Sequence, residues 1–381
     1  MTEPYAAKKR HRILILKFPY SSTYGGGEKH TLTLVERLRD QHDFYLLSTC
    51  SVLLPEFRKR QWQASTTWAG TEPVTLNALL WFFVTAPFIW FNLFRLLVVY
   101  KIRYRIDTLF CLSLTEKVLL TPWARLLGMK VIWMEHLQIE RWLIANPLRL
   151  FYILWSRFAI VVTVVDAVKE QLMQLGVPSA NIAVIYNAVD VKAFTPSPSN
   201  INDLNNQYRI LFIGRLATEK GIDDLLRAVA QIRTTLPQAR LTLVGEGDWR
   251  PDLEALTHEL AISDIVKFVG FQDNIPQWTK NCDVLVLPST RRETFGIVMI
   301  EAFATAKPVI ATTTGGLTEI VDRYGWLVTP HRPTALAEAL IDVHANYQLA
   351  LYKASSGRVR VLELFQEKRM IQEYDALFRN R

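Results

Sequence analysis

Asp283-Val284-Leu285-Val286-Leu287-Pro288-Ser289 leads directly into Arg291-Arg292-Glu293-Thr294-Phe295-Gly296-Ile297-Val298-Met299-Ile300-Glu301. The first run reads as a short parallel strand buried on both faces, and the second as a polar loop opening an apolar helix. In open α/β folds, ligands bind where strands end and helices begin, at one edge of the sheet. Glu293 is expected at the mouth of such a crevice. Glu301 is expected about two turns into the helix, on a face that looks back at it. Ionised carboxylates accept several hydrogen bonds at once, so the pair suits a polyhydroxyl ligand. Taken alone, the pair is equally compatible with an exposed loop Glu and a helix-surface Glu.

Further ordered motifs accompany it. They are Pro308-Val309-Ile310-Ala311, Gly315-Gly316-Leu317-Thr318-Glu319, Gly214-Arg215-Leu216-Ala217-Thr218-Glu219-Lys220-Gly221, Tyr186-Asn187-Ala188-Val189-Asp190 and the glycine run 25–27. Together they resemble the E-x7-E signature and companion motifs of the group 1 (family 4) retaining glycosyltransferases, strongly over residues 180–330 and loosely before that. The resemblance implies the GT-B fold, an α/β architecture of two Rossmann-like parallel-sheet domains facing across a cleft. One departure stands out: the family usually has Asn-Gly-Val-Asp where this chain has Asn187-Ala188-Val189-Asp190. If that position needs a left-handed backbone, alanine costs roughly 1–2 kcal/mol there.

The 381 residues exceed what one core usually holds, and 50% of them are hydrophobic, which excludes general disorder. Cys50, Cys111 and Cys282 are too few and too scattered for a disulfide framework or a zinc site. The basic run Lys8–Arg12 is followed by only Ile13–Phe18 before Pro19, which reads as a strand and is shorter than a signal-peptide core. Charge is uneven. Residues 1–170 hold 22 Lys/Arg against 13 Asp/Glu, and residues 171–381 hold 22 against 23. Eight of the eleven tryptophans lie in the basic part. The first domain is therefore expected to meet an anionic surface, read as a membrane and not a nucleic acid.

Strand–helix alternation runs through both halves. Expected strands are Ile13–Phe18, Asp43–Ser48, Asp107–Leu112, Lys130–Met134 and Ala159–Val165, then Arg209–Ile213, Arg240–Val244, Val266–Val269, Val284–Leu287 and Pro308–Ala311. Expected helices include Glu28–Arg39, one capped by Asp166 and stopped by Gly176, Ile222–Thr234, Pro251–Leu260, Ile297–Thr305 and a terminal one over Leu362–Phe378. The polar stretch from Thr195 to Gln207 is the clearest linker, about which closure would complete the site. The expected domains are 1–190 plus 362–381 on the acceptor side, with a C-terminal crossover helix, and 191–361 for the nucleotide sugar.

Residues 76–100 carry one charge, Arg95, and are long enough to span a bilayer, which takes ~20 apolar residues. Spanning would divide one sheet between two sides of the membrane. A helix buried in the first domain and one lying in the membrane interface both remain. Lys101, Arg103 and Arg105 follow it and Phe57-Arg58-Lys59-Arg60-Gln61-Trp62 precedes it, which favours the interface.

The chemistry is assigned residue by residue. Consecutive glycines at a helix start let a ligand approach backbone amides, and the resemblance places Gly26 and Gly27 against the sugar and leaving phosphate. A tight turn is the alternative. The spacing is not G-x-G-x-x-G, and Leu47-Ser48-Thr49 lacks a ribose-binding acid, which argues against a dinucleotide site. A diphosphate leaving group gains negative charge, and Arg215 and Lys220 beside a helix N-terminus would stabilise it; two solvated basic residues is the alternative. By the resemblance, His136 donates a hydrogen bond near the transferred sugar, although a lone His after a strand is more often structural. Glu135 beside it receives no role. The resemblance also implies that Glu301 holds the ribose and that Glu293, with the amides of Phe295 and Gly296, holds the donor sugar and phosphate. Phe268–Phe271 is set against the base. No two aspartates are separated by one residue, so no D-x-D metal anchor exists and no cofactor or metal is expected.

The expected activity is retaining, metal-independent transfer of a hexose from a nucleotide diphosphate sugar, with UDP favoured over GDP. The acceptor is lipid-linked or of lipopolysaccharide type, as in cell-envelope polysaccharide synthesis, at the cytoplasmic face of the membrane. A nucleotide-sugar epimerase or phosphorylase of the same fold is the enzymatic rival, and a non-catalytic partner docking another transferase is the rival from another class. A nicotinamide-dependent oxidoreductase is more distant, for lack of the ribose acid.

Overall fold

A computed structural model of the chain describes residues 10–18, 25–70, 72–196, 207–291 and 293–380. It divides into two compact units, residues 1–185 with 371–381, and residues 186–370. The expected division was after residue 190, with a return at 362. Most of the expected linker, residues 197–206, lies outside the described residues.

Unit 1 follows the order β1 (Arg12–Lys17), α1 (Gly26–Leu38), β2 (Asp43–Ser48), α2 (Leu53–Lys59), β3 (Ala64–Ser65), α3 (Leu76–Arg103), β4 (Thr108–Cys111), α4 (Leu114–Leu126), β5 (Lys130–Glu135), α5 (Arg141–Ile144), α6 (Arg149–Ser156), β6 (Ile160–Thr163), α7 (Asp166–Leu175) and β7 (Ile182–Val184). Its strands form one sheet in the order β3-β2-β1-β4-β5-β6-β7, with every pairing parallel. Ile13–Leu16 of β1 and Leu109–Cys111 of β4 are buried apolar runs because helices cover both faces, as parallel sheets require. The face covered by each helix follows from its side-chain contacts. On β2, Phe44 meets Phe378 while its neighbour Tyr45 meets Tyr100 of α3, so the C-terminal helix and α3 lie on opposite faces. Trp133 of β5 reaches both Thr121 of α4 and Tyr152 of α6, which puts those two helices on one face.

Unit 2 contains β8 (Tyr208–Ile213), α8 (Ile222–Ile232), β9 (Ala239–Val244), α9 (Arg250–Glu259), β10 (Val266–Gly270), α10 (Ile275–Asn281), β11 (Val284–Leu287), α11 (Ile297–Ala304), β12 (Val309–Thr312), α12 (Leu317–Val321), β13 (Trp326–Val328), α13 (Pro333–Ala345), α14 (Tyr347–Leu364) and the start of α15 (Glu367–Arg379). Its parallel sheet runs β10-β9-β8-β11-β12-β13. In both sheets the first strand of the unit has its sequence successor on one side and a later strand on the other. The chain therefore leaves in opposite directions at β1/β4 and at β8/β11, and each divergence opens a crevice at the strands' C-terminal ends.

Three sequence expectations need correction. The terminal helix is two helices, because the backbone at Phe365–Gln366 leaves the helical path to pair with Val189. The Val189 amide donates to the Phe365 carbonyl at 2.9 Å, and the Glu367 amide donates to the Val189 carbonyl at 3.2 Å. Asp166 is the first residue of α7 and not its cap; Val165 holds the cap position, while Gly176 does end the helix with φ +109°. Phe57–Trp62 does not share a surface with α3. Phe57 is buried, and Trp62 lies against Phe57 and beneath Arg39 and Arg60, on the α1 side of the sheet. Ala188 does not adopt a left-handed backbone, so the departure from the family's glycine carries no strain.

Candidate functional site

The unit 2 crevice is built by backbone geometry that few side chains permit. Gly221 starts α8 with φ +62°, and a Cβ there would lie 2.2 Å from the Pro288 carbonyl oxygen at the end of β11. Gly296 precedes α11 with φ +71°, where a Cβ would meet Met299 and Leu317 at 2.8 and 2.9 Å. These contacts hold the loops after β8 and β11 close together. The Thr290 amide donates to the Glu219 carbonyl at 2.9 Å, joining the two loops directly.

That junction sets the charges. Lys220 ends a single 3-10 turn and forms an ion pair with Glu293, whose Oε2 also accepts from Ser289 Oγ at 3.1 Å. The Glu293 carbonyl accepts from the Gly316 amide at 3.3 Å, so the Gly315–Gly316 turn supports this loop directly. Arg215, half-exposed, pairs with Glu219. The sequence reading offered Arg215 and Lys220 as a cationic couple; each instead already faces a carboxylate. Glu301 lies in the second turn of α11 and is buried. Phe295 is buried against the rings of Tyr186 and Phe365, which leaves its backbone and not its ring to the crevice loop. Phe268 lies beneath Arg250, whereas Phe271 is exposed.

In unit 1 the crevice lies between β1 and β4. Gly25 caps α1 and Gly26 begins it, with Gly26 exposed. A Cβ on Gly27 would lie 3.2 Å from Cδ2 of His136, so glycine allows the imidazole to sit over the helix start. The structure thus brings Gly27 and His136 together. His30, one turn along α1, packs edge-on to His136 with centroids 4.9 Å apart. Burial first, then the neighbouring His30, Lys17 and Lys117, holds the His136 imidazole well below its ordinary pKa. Its Nε2 is buried and has no partner among the described residues. A neutral imidazole with an unused ring nitrogen can donate or accept one hydrogen bond at a bound ligand.

Beneath His136 lies a polar floor that the sequence reading left unassigned. Glu135 Oε1 accepts from Lys117 Nζ and from Tyr152 Oη, each at 2.6 Å, and Lys117 also donates to the Met134 carbonyl at 2.8 Å. Lys17 at the end of β1 pairs with Glu28 in the first turn of α1. Glu116 completes a capping box on α4, accepting from the Ser113 amide at 2.5 Å, while Glu72 accepts from Leu114 at 2.5 Å. Burial pushes Glu72 up to about 7; burial and the adjacent Glu72 push Glu116 up to about 8. Ser289, Glu219, Glu28 and Lys17 were missed. Each sits within a few residues of a motif, at a strand end or first helical turn, and that position was the available signal.

Comparisons with known proteins cover most of both crevices. The model described as Glycosyltransferase Family 4 matches residues 24–193, and the one described as Glycosyl transferases group 1 matches residues 196–358. This chain belongs to the group 1, family 4-type glycosyltransferases. Among the relatives of this glycosyltransferase, an uncharacterized glycosyltransferase of Methanocaldococcus jannaschii is 32% identical over 54% of this chain and 56% of its own. A GDP-mannose-dependent alpha-(1-6)-phosphatidylinositol monomannoside mannosyltransferase of Mycobacterium tuberculosis is 30% identical over 48% of this chain and 51% of its own. The match thus spans about half the length of these curated relatives. An Anabaena protein, HepE, crystallised with UDP, superposes with TM-score 0.79 at 22% identity, over 96% of this chain and 99% of its own. The two-domain GT-B architecture of this glycosyltransferase follows from that likeness.

Proposed function

We propose that this glycosyltransferase moves a hexose from a nucleotide diphosphate sugar to a lipid-linked or lipopolysaccharide-type acceptor, with retention and without a metal. The Lys220–Glu293 ion pair at the β8/β11 divergence carries this reading. As the diphosphate enters, Lys220 exchanges its carboxylate for phosphate oxygens, and the released Glu293 accepts hydroxyls of the sugar. Arg215 makes the same exchange with Glu219. The charge that develops on the leaving diphosphate then meets two cations and the start of α8. Glu301 accepts from the ribose hydroxyls, and the amides of Phe295 and Gly296 hold the sugar phosphate. Unit 1 supplies the acceptor side, with Gly26 and Gly27 at the sugar and His136 donating to it.

The acceptor class is supported by α3, whose most apolar window is only 22% buried, and by the mycobacterial relative, whose name specifies a phosphatidylinositol glycolipid acceptor. α3 lies in the interface of an anionic membrane on its cytoplasmic face, with the enzyme attached peripherally. UDP is taken as the carrier nucleotide ahead of GDP.

The test is nucleoside diphosphate release from UDP- and GDP-hexoses, with and without a membrane extract. Release that requires the extract, persists in EDTA and gives a product with the donor's anomeric configuration is the expected result. A changed nucleotide sugar formed without acceptor would make the protein an epimerase, and no turnover of any donor would make it a non-catalytic partner. Pelleting with anionic liposomes at low salt is the separate test of the membrane reading; failure to pellet overturns it.

A further inference from the structure

α3 is not alone in turning apolar side chains outward. α6 buries Tyr152 and Ser156 against the body of unit 1, yet Leu150, Phe151 and Leu154 point away, with Leu150 69% and Phe151 50% exposed. Phe158, one turn beyond Leu154, extends the same stripe at 49%. A helix apolar on both sides needs a second apolar neighbour, and the described residues of unit 1 provide none for this stripe. On α3 the buried stripe is Phe82, Ile89, Leu93, Leu97 and Tyr100, while Trp81, Val84, Phe88 and Phe91 face outward, Phe88 at 70%.

The two helices share one face of the sheet, with α4 between them. Trp90 and Phe94 of α3 pack on Trp123 of α4, and α4 and α6 converge on Trp133. α3 and α6 hold no Asp or Glu. Each apolar stripe is bracketed by cations instead. Arg149 and Arg157 flank that of α6, and Arg95 closes that of α3 before Lys101, Arg103 and Arg105. Arg103 and Arg105, with Arg12 and its partner Asp43, line a shallow cavity of about 250 Å³ at the end of α3.

We propose that α6 is a second bilayer contact, inserted at the headgroup boundary of an anionic leaflet together with α3. This rests on the reading of α3 given above. Charge selects the occupant. A two-fold contact between copies would bring two cation-bracketed stripes, neither holding an Asp or Glu on its helices, into one interface, whereas phosphate headgroups complement those cations. The aromatic side chains suit the same boundary.

The test is co-sedimentation of the full chain with vesicles of equimolar phosphatidylcholine and phosphatidylglycerol. Leu150→Glu with Leu154→Glu is compared with Leu80→Glu with Phe88→Glu on α3. Each pair is expected to weaken vesicle binding about tenfold or more, with the thermal midpoint and UDP binding unchanged. Leu150→Ser alone replaces the α6 pair if that variant melts early, and a threefold or greater loss is then expected. Vesicle binding as in the wild type by the α6 variants, while the α3 variant loses it, overturns this inference and leaves the α3 reading intact. A wild-type protein that binds no vesicles sinks both. An α6 variant that turns a dimer into a monomer without changing vesicle affinity assigns the stripe to a second copy and also overturns the inference.

Discussion

Lys220, paired with Glu293, is the residue on which the proposed donor binding turns. Lys220→Ala removes the cation facing Glu293 and leaves a carboxylate where a phosphate must enter. A charge-assisted hydrogen bond contributes about 1.5–3 kcal/mol, so affinity for the donor diphosphate falls roughly 10- to 100-fold in calorimetry. Glu301→Ala is expected to lose donor affinity as well; unchanged binding in either variant refutes its role. The buried carboxyls make a different prediction. Glu116 is held protonated in the fold up to about pH 8, whereas the unfolded chain ionises it near its ordinary value of 4.5. The native state therefore binds the extra proton between these limits, and stability contributed below pH 4.5 is lost as pH rises toward 8. Urea unfolding at pH 5 and pH 8.5 should show a loss of roughly 2–4 kcal/mol from this group, flattened in Glu116→Gln. His30, held neutral down to about 4 by burial, runs oppositely, removing stability as pH falls from 6.5 toward 4. That Lys220 and Glu293 lie at one crevice was legible because glycines and a strand end bracket them in sequence. Glu219 was not, because a carboxylate that balances an arginine looks like any solvated turn residue. Glu72 and Glu116 meet only because β4 returns beside β1, a juxtaposition that no local spacing encodes.

Elements with one purpose were read well, and those with two were not. β11 is buried throughout and β8 at every position but Arg209, and both were identified within a residue or two of their ends. The run 149–165 merges an outward apolar stripe, a buried stripe and a strand, so its periodicity cancels and only the strand was visible. The terminal helix was read as continuous because nothing in Phe365-Gln366 opposes helix formation; the break is imposed by pairing with Val189, far away in sequence. At this scale Gly221 is the sensitive position. Gly221→Ala combines a left-handed backbone with a Cβ 2.2 Å from a carbonyl oxygen, so β11 has to move away from α8. Unit 2 should lose about 2–4 kcal/mol, read as a lowered melting transition, and donor binding should weaken with it.

For the molecule as a whole, part of the charge asymmetry of the sequence falls on one surface. Arg95, Lys101, Arg103, Arg105, Arg149 and Arg157 lie in or beside α3 and α6, whereas the later half of the chain is close to neutral. Vesicle binding should accordingly weaken severalfold between about 0.05 and 0.5 M salt, because the Debye length shrinks to a few ångströms. Nucleotide affinity should change far less, since Lys220 and Glu293 are only partly exposed. Co-sedimentation and calorimetry across the same salt series separate the two responses; parallel losses would contradict the division of labour. Composition foretold the asymmetry, but not that two helices on a single face of the sheet carry part of it beside their apolar stripes.

α3 is also the covalent route from β3, at one rim of the seven-stranded sheet, to β4 at its middle. Its preceding residues are moored by Glu72 to Leu114 and by Asn146 to the Pro73 carbonyl. Cutting out the greasy segment to obtain a detergent-free protein would therefore sever the scaffold rather than trim an appendage. A well-behaved aqueous form has to come from repainting the outward side chains, with Trp81 and Phe88 the first to exchange for polar ones.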